Sequence, residues 1–144
     1  MSVKPLSAAF HILLALVFFA FAWFQRNDLD PEVYYHPSTL DSLLWLLFYL
    51  MIGLGFLWQL KKQLPGWYFV LGAGAALLAM IYAGPGLWEN LFGEKDFSMT
   101  QVSMSGKDPR VELTREFFGG VIALVALGYQ WFIGGKFTAK TLKR

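Results

Sequence analysis

The sequence predicts an all-α integral membrane protein in which four transmembrane helices form one bundle, with both termini in the cytoplasm. The 144 residues are 56% hydrophobic and 15% charged, whereas soluble domains average about 25% charged residues. The apolar residues gather in four long runs. All ten acidic residues lie in two of the polar gaps, and the other three gaps carry only Lys and Arg. This alternation is typical of a chain that crosses a bilayer four times.

The four apolar runs are each long enough to span a bilayer, which takes roughly 20 apolar residues in a helix. Backbone groups in hydrocarbon must bond within their own segment, so the runs are predicted to be helices. The first run resembles a signal peptide, but it stays aromatic up to the cleavage-like site and is interpreted as a helix. The whole chain, 1–144, is one membrane domain with spans at about 6–24, 42–60, 66–84 and 113–134 and an outer loop at 85–108.

Orientation follows from the distribution of Lys and Arg, which favour the cytoplasmic side. Five basic residues share the acidic side of the predicted membrane, namely Arg26, Lys95, Lys107, Arg110 and Arg115. Seven lie on the other side, on short segments where the rule works best, namely Lys4, Lys61, Lys62, Lys136, Lys140, Lys143 and Arg144. We therefore expect the acidic side to be extracytoplasmic and interpret the location as a bacterial inner (plasma) membrane.

The turn residues between the runs predict where helices begin and end. Pro65-Gly66 separates the second and third helices, since the residue before proline avoids the helical region. Gly84-Pro85-Gly86 is predicted to end the third helix, with a short interfacial helix following at 86–93. Asp108-Pro109 is a start signal for the fourth helix, because Asp can cap free N–H groups and Pro suits the first position.

Small residues recur on the third and fourth runs, as in Gly72-xxx-Ala76 and Gly119-xxx-Ala123. Lipid supplies no hydrophobic drive for helix association, so close approach at small residues does much of the work. The sequence therefore predicts that the third and fourth helices pack closely.

Two short motifs carry a resemblance to a known family. The first helix ends in Gln25-Arg-Asn27-Asp28-Leu-Asp30-Pro31, and the fourth begins with Thr114-Arg115-Glu116-Phe117-Phe-Gly119. Both resemble the transmembrane protein 220 family of four-span proteins. Leu29 departs from the Pro usual there and Tyr34 from the usual Trp. The resemblance implies a four-span fold but no reaction. It marks as motif residues Gln25, Asn27, Asp28, Asp30, Pro31, Arg115, Glu116 and Gly119.

Acidic side chains at the outer ends of the helices are candidates for a site. Asp28 and Asp30 leave the first helix at the depth of Glu112 and Glu116, which are four residues apart and share a helix face. With His36 nearby, such oxygens could hold a hard divalent cation. The alternative, which we favour, is structural: Asp28 bonds local N–H groups in an Asx turn, and Arg115 or Asn27 bonds the 28–31 turn.

No cofactor is expected. His11 and His36 fall on opposite sides of the predicted membrane, so they cannot ligate one haem iron. We expect His11 to be neutral and bonded to a neighbouring helix or to headgroup water. Catalytic serine arrangements, a phosphate-binding glycine loop and a nucleic-acid surface all lack a sequence pattern.

The sequence favours a non-catalytic membrane protein rather than an enzyme. We expect an accessory, assembly or scaffold subunit that packs against other membrane-protein subunits within the lipid bilayer. The alternative is a small binding or transport protein for a cation, lipid or quinone that uses the acidic outer rim. An enzyme acting on lipid ranks last.

Overall fold

The structure, a computed structural model, describes residues 5–141, apart from the side chains of residues 5, 6, 27 and 135–141. Each of its four helices is long and apolar enough to cross a membrane, and the described residues contain no strand. The four-span all-α fold is therefore confirmed. The helices are α1 (Pro5–Phe24), α2 (Thr39–Gln59), α3 (Gly66–Phe92) and α4 (Arg110–Thr141).

The two ends of the helix bundle differ in charge. We call the end formed by residues 25–38 and 93–109 the acidic end, and the end at residues 60–65 the basic end. Short 3₁₀ turns at Gln25–Asn27 and Gln101–Ser103 belong to the acidic end. Helix α2 begins three residues earlier than predicted, because the Ser38 hydroxyl accepts a hydrogen bond of 3.0 Å from the Asp41 N–H and so caps the helix.

Helix α3 does not end at Gly84-Pro85-Gly86, so that prediction is wrong. It continues through Pro85 to Phe92, and the predicted separate helix at 86–93 is its last part. Pro85 is exposed, and membrane helices tolerate proline where neighbouring groups satisfy the freed carbonyl. The connection to α4 is consequently shorter than the predicted loop at 85–108 and covers residues 93–109.

Packing joins the helices into two antiparallel pairs, α1 with α2 and α3 with α4, the second being the more extensive. The predicted close approach of α3 and α4 is confirmed, and Gly120 shows its basis. A Cβ atom at Gly120 would lie 2.6 Å from Met80 Cγ and 3.1 Å from the Ala76 carbonyl oxygen. Gly119 faces α2 instead, since a Cβ there would lie 2.5 Å from the Tyr49 hydroxyl.

The core where the two pairs meet is closed by aromatic and small side chains of α1, α2 and α4. Phe18, Ile52 and Phe56 are almost fully buried, as is Ala123. Towards the basic end the core becomes polar: the Gln130 amide donates to the Ile52 carbonyl at 3.0 Å and accepts from the Tyr68 hydroxyl at 2.9 Å. These bonds tie α2, α3 and α4 together near the basic end.

Candidate functional site

A cavity of about 820 Å³ opens at the acidic end, between α1, α2, α4 and the two connecting segments. Its lining contains one basic residue, Arg115, and five carboxylates. The four acidic residues singled out from the sequence are all among them, and Asp41 is the fifth. The carboxylates are Asp28, Asp30, Asp41, Glu112 and Glu116.

The segment after α1 is shaped by Asp30. Its carboxylate accepts a hydrogen bond of 2.9 Å from the Glu32 N–H, which forms an Asx turn. Its carbonyl oxygen accepts from the N–H groups of Val33 and Tyr34, at 3.1 and 2.8 Å. The predicted Asx turn therefore exists, but Asp30 forms it and Asp28 does not. This turn brings Tyr34 and Tyr35 over the cavity.

Asp28 is half-buried and is bonded by the Tyr34 hydroxyl rather than by backbone N–H groups. Burial raises the pKa of the Asp28 carboxyl above its ordinary value, although the Tyr34 hydroxyl and the field of Arg115 oppose the shift. The pKa of Tyr34 rises to about 12, through burial first and its bond to Asp28 second. Asp28 is thus a carboxylate held where its negative charge is unfavourable.

Two glutamates from α4 form one wall of the cavity, on the shared helix face that their spacing predicted. The Glu112 carboxylate is 8% exposed and accepts a 2.6 Å hydrogen bond from the Tyr35 N–H. Glu116, one turn further from the acidic end, is partly buried and has no hydrogen bond among the described residues. The wall therefore carries one carboxylate that fixes a loop and one that remains available.

Arg115 does not form the predicted ion pair. Within the part of the chain that the structure describes, no carboxylate oxygen lies within 4.0 Å of its guanidinium. Its described hydrogen bond is a long one, 3.4 Å to the Met99 carbonyl. The alternative partner for the turn, the Asn27 side chain, lies outside the described residues. Arg115 is exposed and therefore presents a free positive charge at the cavity.

Aromatic and aliphatic side chains form the deeper walls of the cavity. Phe21 and Phe24 line it from α1, while Phe118 and Ile122 line it from α4. The floor comes from α2, where the rings of Trp45 and Tyr49 stack with centroids 5.5 Å apart. The cavity is therefore polar near the connecting segments and apolar toward the middle of the bundle.

The apolar walls belong to two helices that stand apart. No Cα atom of α1 lies within 8 Å of a Cα atom of α4 among the described residues. Near the basic end the gap is filled, because the ring of Tyr129 meets those of Phe10 and His11 with centroids 5.8 and 6.1 Å away. Near the acidic end Phe24, Phe118 and Ile122 remain 38–67% exposed. We interpret this exposed apolar stretch between α1 and α4 as a lateral opening of the cavity towards the surrounding lipid.

The remaining motif residues frame the cavity. Gln25 lines it, and its carbonyl oxygen accepts a hydrogen bond from the Ser42 hydroxyl. Pro31 lies in the Asp30 turn, where Gly106 approaches its carbonyl closely. The N–H of Gly106 donates to the Glu32 carbonyl at 3.0 Å, which links the two connecting segments. Gly119 keeps the Tyr49 hydroxyl at the cavity floor.

The weak metal-site candidates Asp28, Asp30, Glu112 and Glu116 share the cavity but not a ligand geometry. Among the described residues, no group of three or more His, Cys, Asp or Glu is close enough to hold a metal ion. His11 lies far from this cavity. Its Nδ1 is 2.7 Å from the Ser7 carbonyl of its own helix, and its ring packs on Phe56, so the predicted bond to a neighbouring helix is not formed.

Sequence reasoning missed a polar cluster that fixes the segment 93–109. The Asn90 side chain is 1% exposed and donates to the Ser98 carbonyl at 2.7 Å and to the Thr114 hydroxyl at 2.9 Å. Its oxygen accepts from Arg110, whose guanidinium also bonds the Asp96 carbonyl. Asp108 bonds Lys95 and Arg110 instead of serving as the predicted cap. An Asn within an apolar run was the available signal.

The fold and the cavity define a small four-span α-helical membrane protein with an acid-lined cavity at one end of its bundle. The comparison with protein families agrees with this class. The model described as "Transmembrane family 220, helix" matches residues 17–132, well over half of the chain, and the chain belongs to that family. The family predicted from the two motifs is thereby confirmed. No curated protein and no solved structure gives a significant match.

Proposed function

We propose that this protein is a non-catalytic membrane protein that binds a cationic organic ligand in its acidic cavity. One observation carries the proposal: five carboxylates and one guanidinium line a single cavity of about 820 Å³. Clustered carboxylates raise one another's free energy unless a cation or a proton neutralises them. A volume of this size also falls in the usual range for small-molecule sites, about 300–1,000 Å³.

The floor of the cavity favours an organic cation over a bare metal ion. Trp45 and Tyr49 line the cavity, and aromatic rings attract ammonium groups electrostatically. The carboxylates are not gathered into a metal-ligand set among the described residues. Glu116 is the carboxyl group of α4 closer to those rings, and no described hydrogen bond occupies it.

Choline and ethanolamine are suitable probes, measured by calorimetry with the full chain in mild detergent. We expect choline to bind and Glu116→Gln to weaken it about tenfold or more, since a charge-assisted contact contributes about 1.5–3 kcal/mol. Glu94→Gln is the matched control, because Glu94 is an exposed acid at the same end that does not line the cavity. Equal weakening by both variants, or no binding by either probe, would refute the proposal.

A second candidate is the accessory or scaffold role expected from the sequence. Its support is the exposed apolar group on the segment 93–109, where Val102 is 97% exposed and Phe97 53%. Apolar side chains exposed outside the spans mark contact surfaces for protein or membrane. Mass determination after mild-detergent purification tests this role. Larger subunits that travel with the native chain but not with Val102→Asp support it, and a lone chain in both cases contradicts it.

The proposed location is the bacterial inner membrane, with both termini in the cytoplasm and the acidic cavity open to the outside. The excess of Lys and Arg on the short segments of the basic end supports this orientation.

A further inference from the structure

We propose that the occupant of the acidic cavity is the headgroup of a zwitterionic phospholipid, which enters sideways between α1 and α4. This inference rests on the proposed function and adds the chemical class of the ligand. It assigns the ammonium group to the carboxylates and rings, the phosphate to Arg115, and an acyl chain to the lateral opening.

The first step is the unpaired charge of Arg115. In a cavity with five carboxylates, its guanidinium has none of them within 4.0 Å among the described residues. It is exposed, and its 3.4 Å bond to Met99 is weak by length. A guanidinium in this position can take a phosphate through two parallel N–H···O bonds. A ligand that carries only positive charge would make no favourable contact with the Arg115 guanidinium.

The second step is the separation of charges within the cavity. Arg115 and Glu116 are adjacent on α4, and successive helical residues point about 100° apart. Positive and negative groups therefore line the same cavity without forming an ion pair among the described residues. A ligand with an ammonium group close to a phosphate matches both. An anionic phospholipid would place its net charge among the carboxylates, and a polyamine would leave the Arg115 guanidinium without a partner.

The third step is the apolar opening. Phe24 of α1 and Phe118 and Ile122 of α4 line the cavity and remain partly exposed. No Cα atom of α1 lies within 8 Å of one of α4 among the described residues, so only side chains could close this opening. A soluble zwitterion would gain nothing from it. An acyl chain would cover these side chains and continue into the bilayer.

Binding of short-chain lipids to the full chain in mild detergent tests the inference. The probes are dihexanoyl phosphatidylcholine, the corresponding ethanolamine and glycerol lipids, and free choline. We expect either zwitterionic lipid to bind about tenfold or more tightly than choline, and the glycerol lipid to bind worst. Equal affinities for choline and both zwitterionic lipids overturn the lipid assignment but leave the proposed function standing. Absence of all binding overturns both.

Two variants locate the groups that make the difference. Arg115→Gln should remove most of the gain of lipid over choline while choline itself binds as well as before or better. Arg26→Gln is the matched control, since Arg26 lies at the same end but stacks on Trp23, 3.6 Å from its ring centroid, outside the cavity. Ile122→Trp should block the opening and weaken only the lipids. Unchanged lipid affinity in Arg115→Gln contradicts the phosphate assignment.

Discussion

At the scale of single residues, the acidic end separates charges that are satisfied from charges that are not. Asp108 bonds Lys95 at 2.6 Å, and this contact lowers the pKa of its carboxyl below the ordinary value. Asp28 has the opposite environment, since burial raises its pKa. A carboxylate with a raised pKa costs stability at neutral pH.

Asp28→Asn should therefore stabilise the empty protein at neutral pH. A folded-state pKa above the unfolded value gives stability that is present at low pH and is lost as pH rises past about 4. We expect a higher melting temperature than wild type at pH 7 and a difference that vanishes below about pH 4. Thermal unfolding in detergent across that range measures it, with Asp96→Asn as an exposed control. A lower melting temperature at pH 7 would contradict the assignment.

Asn90→Ala should destabilise the protein by about 1–3 kcal/mol, because it leaves buried groups of Ser98 and Thr114 without their partner. Glu89→Ala on the same turn of α3 is the control, since Glu89 is exposed. Unfolding by denaturant in detergent measures both. Similar losses in the two variants would show that the polar cluster does not fix the segment 93–109.

Which residues form the site could be predicted, but not which bonds they make. Four of the five cavity carboxylates were found because acids flanking apolar runs must leave the hydrocarbon together. Their partners depend on rotations that spacing does not determine. Arg115 adjoins the acids in sequence yet meets Met99, and Asp28 bonds Tyr34 instead of the backbone. Asn90 was missed because the sequence analysis placed it in a short interfacial helix of the outer loop, where a polar residue is expected.

At the scale of elements, the length of each apolar run determines where a helix lies more strongly than the turn residues at its ends do. Apolar length placed all four, and the Pro65-Gly66 break was correctly predicted to separate α2 from α3. Pro85 was misjudged, because it lies on the exposed side of α3 and the helix continues through it. Rules drawn from water-exposed helices overestimate how strongly a proline ends a membrane helix.

Gly120→Val should weaken the α3–α4 pairing, whereas Gly128→Val on the same helix should not. A side chain added at Gly120 would clash with Met80 and with the Ala76 carbonyl oxygen. No atom lies within 4 Å of a Cβ at Gly128. Overpacking typically costs about 1–3 kcal/mol. Thermal unfolding of the two variants in detergent compares them directly. Equal stability would show that α3 and α4 do not approach at Gly120.

At the scale of the whole molecule, charge segregation predicts how the bundle sits in its membrane. The chain contains no cysteine, so single cysteines can report each end. We expect Val102→Cys to react with an impermeant maleimide in sealed cells, since it is 97% exposed. Lys61→Cys at the basic end should react only after the membrane is opened. The reverse pattern would invert the orientation, and reaction at both sites would contradict four crossings.

The gap between α1 and α4 has one blind end, where Tyr129 closes on Phe10 and His11. A slot that closes near the basic end can admit a headgroup only from the leaflet at the acidic end. Lipids of the other monolayer cannot reach it, and a headgroup held inside has no route across. Such a shape is suited to sampling the composition of one leaflet and is unsuited to flipping lipids between the two.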